Sequence, residues 1–375
     1  MTVSSRWGAL DAFRGLTIAG MLLVNNPGSW DAVYPPLRHA AWHGWTPTDL
    51  VFPFFLFIVG ITTELSLGRR AELGAGNRAI AAQILKRGAL IFLLGLALNA
   101  FPFFPIERIT QVRIPGVLQR IGVCYTAAAL LAWRRSSRFL IVASAAILVG
   151  YWAALTRIAP PGVADPTIGL PDQTLAAYLD RLLLEGHLWS QTKTWDPEGP
   201  LSTIPAVVSC ILGILAGRWV RREPASESRL NGLFGVGALG VALGFAWSWT
   251  FPINKNLWTS SYVVFTAGTA CVVLATMTWL RESWGPSRWS APLVTFGLNP
   301  LAAFIGSGAM ARTFGSLIQV ERGGATVPLQ RLLYESLFAS WLSPLNASLA
   351  YAVAFTVWWY LFLLALEKAG WTLRV

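Results

Sequence analysis

The chain is poor in the residues that most often carry chemistry. Of 375 residues three are cysteine, three histidine and four methionine, and charged residues make up 13%. Cys124, Cys210 and Cys271 each lie in an apolar run, are odd in number and lack metal-ligand spacing. A disulfide framework is excluded, no metal is expected, and the three thiols read as packing residues. There is no phosphate-binding glycine loop, no nucleophile elbow and no HExxH zinc motif, so several soluble enzyme classes drop out. Acidic residues are scarce too, 18 against 29 lysines and arginines, for a formal net charge of +11. That excess does not point to nucleic acid, because the basic residues come in short bursts between apolar runs without an aromatic-basic surface motif. A cleavable leader is not expected either, since the first apolar stretch carries Asp11 and Arg14 and lacks a small-residue cleavage pattern.

What the chain has in quantity is apolar surface. Hydrophobic residues reach 54%, and the 19 tryptophans cluster near the ends of apolar runs, where an indole buries its ring at the bilayer interface and still hydrogen-bonds. The expected fold is an all-α membrane protein, a polytopic bundle of about ten transmembrane helices at about 20 residues per span. The spans fall near 9–26, 49–67, 83–101, 114–132, 138–155, 203–220, 230–250, 258–280, 291–310 and 347–367. The first, interrupted by charge, and the fourth, containing Arg120, are the weakest. Short loops bearing Arg69, Arg70, Lys86, Arg87, Arg134, Arg135, Arg218, Arg221 and Arg222 collect on one side, which makes both termini cytoplasmic. Residues 1–375 read as one domain. Its connection at about 156–202, far longer than an ordinary loop, reads as an extracytoplasmic lid. A second outer segment, about 311–346, is expected to hold an interfacial helix near Arg331–Leu342.

Polar groups concentrate between the first two spans, in NNPGSWDAVYPPLRHAAWHGWTPTD. This block holds Asn25, Asn26, Asp49 and two of the three histidines, His39 and His43. A neutral imidazole suits removal of a proton from an attacking amine or hydroxyl, so His39 reads as a general base or as an interfacial histidine bonded to a loop carbonyl. His43 is followed by Gly44 and Trp45, which suggest a turn. Asn25 and Asn26 end the first span, where one amide caps the helix and the other is free to donate to an oxyanion. Asp49, three residues after Thr46, caps the second span or orients His39. On the same outer side lie His187, Asp196, Glu198, Asn254 and Lys255. Buried Arg120 calls for an acidic or anionic partner: Glu107, Asp196, Glu198 or a ligand phosphate. Asp11 and Arg14 are spaced to pair on one helical face, with a phosphate contact by Arg14 as the alternative.

Together LDAFRGLTIAGMLLVNNPGSW, LRHAAWHGWTPTDLVFPFFLFIVG, RIPGVLQRIGVCY, WDPEGPLSTIPAVVSCILGILAG, FPINKNLWTSSYVV and PLVTFGLNPLAAF resemble the bacterial branch of the heparan-α-glucosaminide N-acetyltransferase family. The resemblance runs from about Leu10 to the last span. It implies a transmembrane acyltransferase of the bacterial inner membrane that moves acetyl from cytoplasmic acetyl-CoA to a glucosamine amine on the other side. The family's H-A-x-W-x-G motif falls on His39, Trp42 and Gly44, and its V-N motif on Val24 and Asn25. Catalysis is thereby assigned to His39 with Asn25 and Asp49, His39 acting as base or as acetyl carrier. CoA phosphates are assigned to Arg14, Arg69, Arg87 and Arg120, and the amino-sugar acceptor to Asn26, Trp42, His43, His187, Asp196, Glu198, Asn254 and Lys255. Set against the lysosomal member, the large N-terminal luminal domain is not expected here and His43 stands in place of an amide, which points to a bacterial amino sugar. Membrane lipids surround the bundle, and a homodimer is the default assembly. The competing reading is an amino-sugar permease of the inner membrane, with the polar block as its gate.

Overall fold

Each of the ten expected spans is helical. The computed structural model describes residues 7–72, 74, 76–223, 226–285 and 288–372. The helices are α1 (Gly8–Asn25), α2 (Val51–Glu72), α3 (Asn77–Ala100), α4 (Val117–Ala132), α5 (Ser137–Arg157), α6 (Leu175–Leu184), α7 (Pro200–Arg222), α8 (Ser226–Ser248), α9 (Ser260–Trp284), α10 (Ala291–Leu298), α11 (Pro300–Arg312), α12 (Leu329–Tyr334) and α13 (Pro344–Lys368). Seven of them, α2, α3, α5, α7, α8, α9 and α13, are long and apolar enough to cross a membrane. The chain is thus an all-α polytopic membrane protein. The two segments expected to be weakest fall outside those seven: α1 carries Asp11 and Arg14, and α4 has only 16 residues.

The ninth expected span, 291–310, is corrected. It is not one rod but α10 and α11, bent by 80° between Leu298 and Pro300. Pro300 has no N–H to continue the ladder, and Asn299 leaves helical geometry at φ −127°, ψ 54°, so the chain restarts with Pro300 in the first turn.

Burial separates an inner set of helices from an outer one. The spans of α2, α7 and α9 are 56, 61 and 50% buried, whereas those of α3, α5, α8 and α13 are 28% or less. Lipid-facing surface therefore belongs to the latter, with Leu93, Val142, Val236 and Leu361 exposed along them. Between equally apolar surroundings helices gain little from hydrophobicity and associate through close packing, which favours small residues. At the α2–α7 crossing a Cβ on Gly60 would lie 2.0 Å from the Cys210 carbonyl oxygen, and one on Gly213 would lie 2.0 Å from that of Phe57. Only glycine allows that approach. All three cysteines are free and buried among these helices, as packing residues should be.

Two long connections carry structure of their own. The 156–202 segment contains α6, whose Thr174 hydroxyl caps the Ala177 N–H at 3.0 Å. The 311–346 segment forms an unexpected hairpin of β1 (Gln319–Arg322) and β2 (Ala325–Pro328) in antiparallel register, Val320 opposite Val327. It is followed by α12 and a wide turn over Glu335–Ala339, close to where the interfacial helix was expected. At 1.5 Å per residue α2 runs about 33 Å, so its start at Val51, just after Asp49, and its end at Glu72 mark opposite ends of the bundle.

Candidate active site

The start of α2 builds the site. Pro47–Leu50 forms a 3-10 turn in which Thr46 and Asp49 make a reciprocal capping box, with the Thr46 N–H donating to Asp49 Oδ2 at 3.0 Å. The same oxygen accepts the Ala40 N–H at 3.0 Å, and Asp49 Oδ1 lies 2.6 Å from His39 Nδ1. The carboxylate is 1% exposed while the imidazole is 45% exposed, so a fixed buried acid holds a ring that opens outward. The Tyr262 hydroxyl donates to the Asp49 carbonyl at 2.5 Å and ties the turn to α9. Both sequence readings of Asp49, cap and partner of His39, are satisfied by its two oxygens.

Lys255 completes the cluster, its Nζ 3.1 and 3.2 Å from the two ring nitrogens of His39 and 3.9 Å from Asp49 Oδ1. Burial pulls its ammonium below the usual lysine range, against the opposing charges of Asp49 and Glu198. The adjacent Asn254 is fully buried and bonds the ring of His43 at 3.3 Å, while partial burial holds that imidazole below its ordinary value. Gly44 turns the chain at φ +98° and donates to the Ile253 carbonyl at 2.8 Å, so the turn after His43 is present and pins the motif to the Asn254–Lys255 loop. Trp42 donates to the Ile168 carbonyl at 2.7 Å and meets Trp195 edge-on at 5.2 Å, which docks the 156–202 segment on the histidine motif.

The two asparagines part company. Asn26 donates to the Leu22 carbonyl at 2.8 Å and so caps α1 through its side chain, with φ at −131° rather than in the left-handed region. Asn25 makes no side-chain hydrogen bond among the described residues and lines a cavity of about 800 Å³ together with Asn26, Asn99, Arg113 and Gln119. His39 is not part of that lining. Arg113, part of that lining, anchors a charge network: it donates to Asp196 Oδ2 at 2.8 Å and Oδ1 at 2.6 Å and also binds Glu198. Burial opposes both charges, yet the pairing raises the Arg113 guanidinium and, with Arg120 and Lys255, lowers the Glu198 carboxyl. His187 bonds the Val112 carbonyl at 2.8 Å and anchors the long segment beside Arg113, away from the His39 cluster.

Arg120 needs a correction. Its guanidinium, 2% exposed, donates to the Gly199 carbonyl at 3.2 Å, Ser202 Oγ at 2.5 Å and Thr203 Oγ1 at 3.2 Å, and lies over the Trp258 ring at 5.1 Å. Its hydrogen bonds thus go to neutral oxygens and a π face, since Asp196 and Glu198 bind Arg113 directly, and the expected carboxylate Glu198 acts on Arg120 only through its charge. The Glu107 side chain lies outside the described residues. Arg14 donates to Asp11 at 3.0 Å and to the Gly297 carbonyl at 3.0 Å, the anchoring geometry. Arg69 is exposed in the last turn of α2, and Arg87 lies over the Tyr125 ring at 5.0 Å. At that same end a second cavity of about 680 Å³ is lined by Glu64, Asn77, Arg134, Arg218 and Arg221. Sequence reasoning missed the roles of Arg113, Tyr262 and Gln119; of these only Gln119, an amide inside an apolar run, carried a local signal.

Fold and site together define an integral membrane protein with a buried carboxylate, a histidine and a lysine gathered at one end of its bundle. The chain belongs to the heparan-α-glucosaminide N-acetyltransferase family: the sequence model described as "Heparan-alpha-glucosaminide N-acetyltransferase, catalytic" matches residues 6–239. It is 30% identical over 358 residues to the heparan-α-glucosaminide N-acetyltransferase of Homo sapiens, covering 80% of this chain and 52% of that protein. The enzyme of the same name from Mus musculus is 29% identical over 368 residues, covering 83% of this chain and 54% of its own length. The chain thus spans about half the length of these curated relatives.

Proposed function

We propose that the chain is a transmembrane N-acetyltransferase that moves acetyl from cytoplasmic acetyl-CoA to the amine of a glucosamine-type sugar on the opposite face of a bacterial inner membrane. The observation that carries this reading is the 2.6 Å contact between His39 Nδ1 and a carboxylate that is itself held by two backbone N–H groups. A carboxylate accepting from Nδ1–H puts the lone pair on Nε2, the tautomer a general base requires; Lys255 Nζ, 3.2 Å away, faces that lone pair and gives way to the acceptor amine. The acceptor amine, having lost one proton to reach its neutral form, attacks the thioester carbonyl. As the C–N bond forms, His39 Nε2 takes the second proton. Collapse of the tetrahedral adduct breaks the C–S bond, and the proton held by His39 passes to the leaving sulfur, so CoA departs as the thiol and the imidazole is neutral again. Asn25, whose amide makes no hydrogen bond among the described residues, donates to the oxyanion, and the Lys255 ammonium adds positive charge beside the imidazole. The CoA phosphates belong with the basic residues at the other end of the bundle, Arg69, Arg87 and Arg134 among them.

Reconstituted vesicles with labelled acetyl-CoA inside and glucosamine outside test the reading. Labelled N-acetylglucosamine should accumulate outside, and His39→Ala should abolish it while CoA binding persists. If the sugar itself crosses and no acetylated product forms, the chain is a permease and the proposal fails.

A further inference from the structure

The cavity beside Asn25 contains more than the transfer step uses. Gln119, 3% exposed, lines it with Nε2 lacking any hydrogen-bond partner among the described residues. An unmet buried donor is costly, so a cavity that keeps one is built for an acceptor that arrives from outside. Arg312 of α11 lines the same space. Its Nη1 reaches only the Gly308 carbonyl, at 3.4 Å, and among the described residues no carboxylate comes within ion-pair distance of it. The two nearby acids are unavailable, since Asp196 and Glu198 bind Arg113. The cavity therefore holds a positive charge without its counter-ion, in a helix where charge is expensive. Trp30, 64% exposed, stands at the lining and offers an aromatic face to the C–H face of a pyranose. With Asn25, Asn99 and Gln191 the lining is amide-rich, which matches the donor and acceptor pairs of a polyhydroxylated ring. A volume of about 800 Å³ takes more than one monosaccharide.

We infer that this cavity is a subsite for an acidic substituent on the acceptor: the amino sugar carries an oxyanion, a carboxylate or sulfate, that sits between Arg312 and Gln119 while its ring rests on Trp30. The inference rests on the acetyltransferase reading for the word acceptor, but the anion site stands on its own geometry. Two synthetic acceptors of equal bulk test it in nanodiscs of zwitterionic lipid: glucosamine bearing a 3-O-carboxyethyl group and its neutral 3-O-propyl counterpart. The wild-type protein should prefer the acidic acceptor by about 10- to 100-fold in kcat/KM, the range of one charge-assisted contact. Arg312→Gln should erase that ratio and Arg312→Lys should restore most of it. If Arg312→Gln fails to fold, Gln119→Leu serves as the second variant and should shrink the ratio severalfold. Equal use of both acceptors by wild type, or a preference indifferent to both variants, overturns the subsite while leaving the acetyltransferase intact. If neither acceptor is acetylated, the proposed function fails, and calorimetric binding of the acidic sugar, lost in Arg312→Gln, still decides the anion site. Repeating the titration in anionic phospholipid and with inorganic phosphate separates the sources. Competition by lipid headgroup, or weakened CoA binding in Arg312→Gln in place of a changed acceptor ratio, assigns the charge to a phosphate and refutes the sugar.

Discussion

Asp49→Asn tests whether the carboxylate works through the tautomer of His39 or only through the fold. In the native protein Asp49 Oδ2 accepts two backbone N–H groups, those of Ala40 and Thr46, each at 3.0 Å, while Oδ1 faces His39 Nδ1 at 2.6 Å. An asparagine must choose which of its two ends faces which set. If its NH₂ faced the backbone donors, two buried N–H groups would lose their acceptor, at about 1–3 kcal/mol each, so roughly 2–6 kcal/mol in all. The amide oxygen therefore takes the Oδ2 position and the NH₂ points at His39. Nδ1 must then accept, which moves the ring proton to Nε2 and removes the lone pair that receives the acceptor's proton. By analogy with the serine-protease carboxylate, kcat should fall about 10³- to 10⁴-fold with CoA binding retained. Asp49→Ala is the informative companion. It is the less stable protein, since both N–H groups lose their acceptor, yet its imidazole is free to adopt either tautomer. Steady-state acetyl transfer should therefore rank Asp49→Ala above Asp49→Asn in kcat, while thermal melting ranks them the other way. A purely structural carboxylate predicts the same order in both measurements, and that result, or an Asp49→Asn kcat within tenfold of wild type, would refute the reasoning.

Three further outcomes follow from the geometry. Asn25→Ala should lower kcat and leave melting unchanged because its amide has no hydrogen bond among the described residues, whereas Asn26→Ala, which loses the 2.8 Å bond to Leu22, should cost about 1 kcal/mol of stability; paired activity and melting curves on both variants separate them. Gly213→Ala should destabilise the α2–α7 crossing by about 1–3 kcal/mol, since its Cβ would meet the Phe57 carbonyl at 2.0 Å, and a melting temperature equal to wild type would contradict that. Asp180, 2% exposed in α6, has its carboxyl pushed up to about 7 from 3.8, chiefly by burial. A raised acid binds its proton more tightly folded than unfolded, so its contribution is present below about pH 4 and fades as pH climbs to 7, worth roughly 4 kcal/mol at the 1.36 kcal/mol per unit of the linkage relation. Protection factors of the α6 amides, exchange rates corrected for base catalysis, should fall between pH 5 and 8 in the native protein, and Asp180→Asn should flatten that trend.

The spans were legible because an apolar run of about 20 residues has few alternatives, and even the doubts fell on the right elements, α1 and α4. What escaped was local. The break at Asn299–Pro300 was written in the sequence as a proline, but hydropathy averages across it. The hairpin of ERGGATV was hidden by its shortness, four residues a strand. In the site, His39 and Asp49 were readable as neighbours because ten positions and a capping turn bring them together. Lys255 meets His39 across 216 positions, a contact that only the tertiary fold creates. Arg120 shows the limit from the other side: a counter-ion was expected, and the fold supplies the Glu198 charge without a direct ion pair, leaving the hydrogen bonds to hydroxyls, a carbonyl and an indole face.

The same comparison locates the central difficulty of the proposed reaction. The His39 cluster sits where α2 begins, and the arginine-lined cavity sits where it ends, about 33 Å away at 1.5 Å per residue. Diffusion of a charged donor across that distance through the apolar core is closed to it by the cost of desolvating phosphate. A thioester on a long uncharged arm has no such barrier, because the phosphates stay at one end and only the neutral arm passes between helices. Where α2 crosses α7 the close approach rests on Gly60 and Gly213, so the backbones leave little side-chain bulk at that crossing. In the proposed reaction the thioester carbonyl is delivered to the end of the bundle where α1 finishes at Asn25 and where the loop before α2 holds His39 on Asp49, so neither the oxyanion donor nor the base has to cross the membrane.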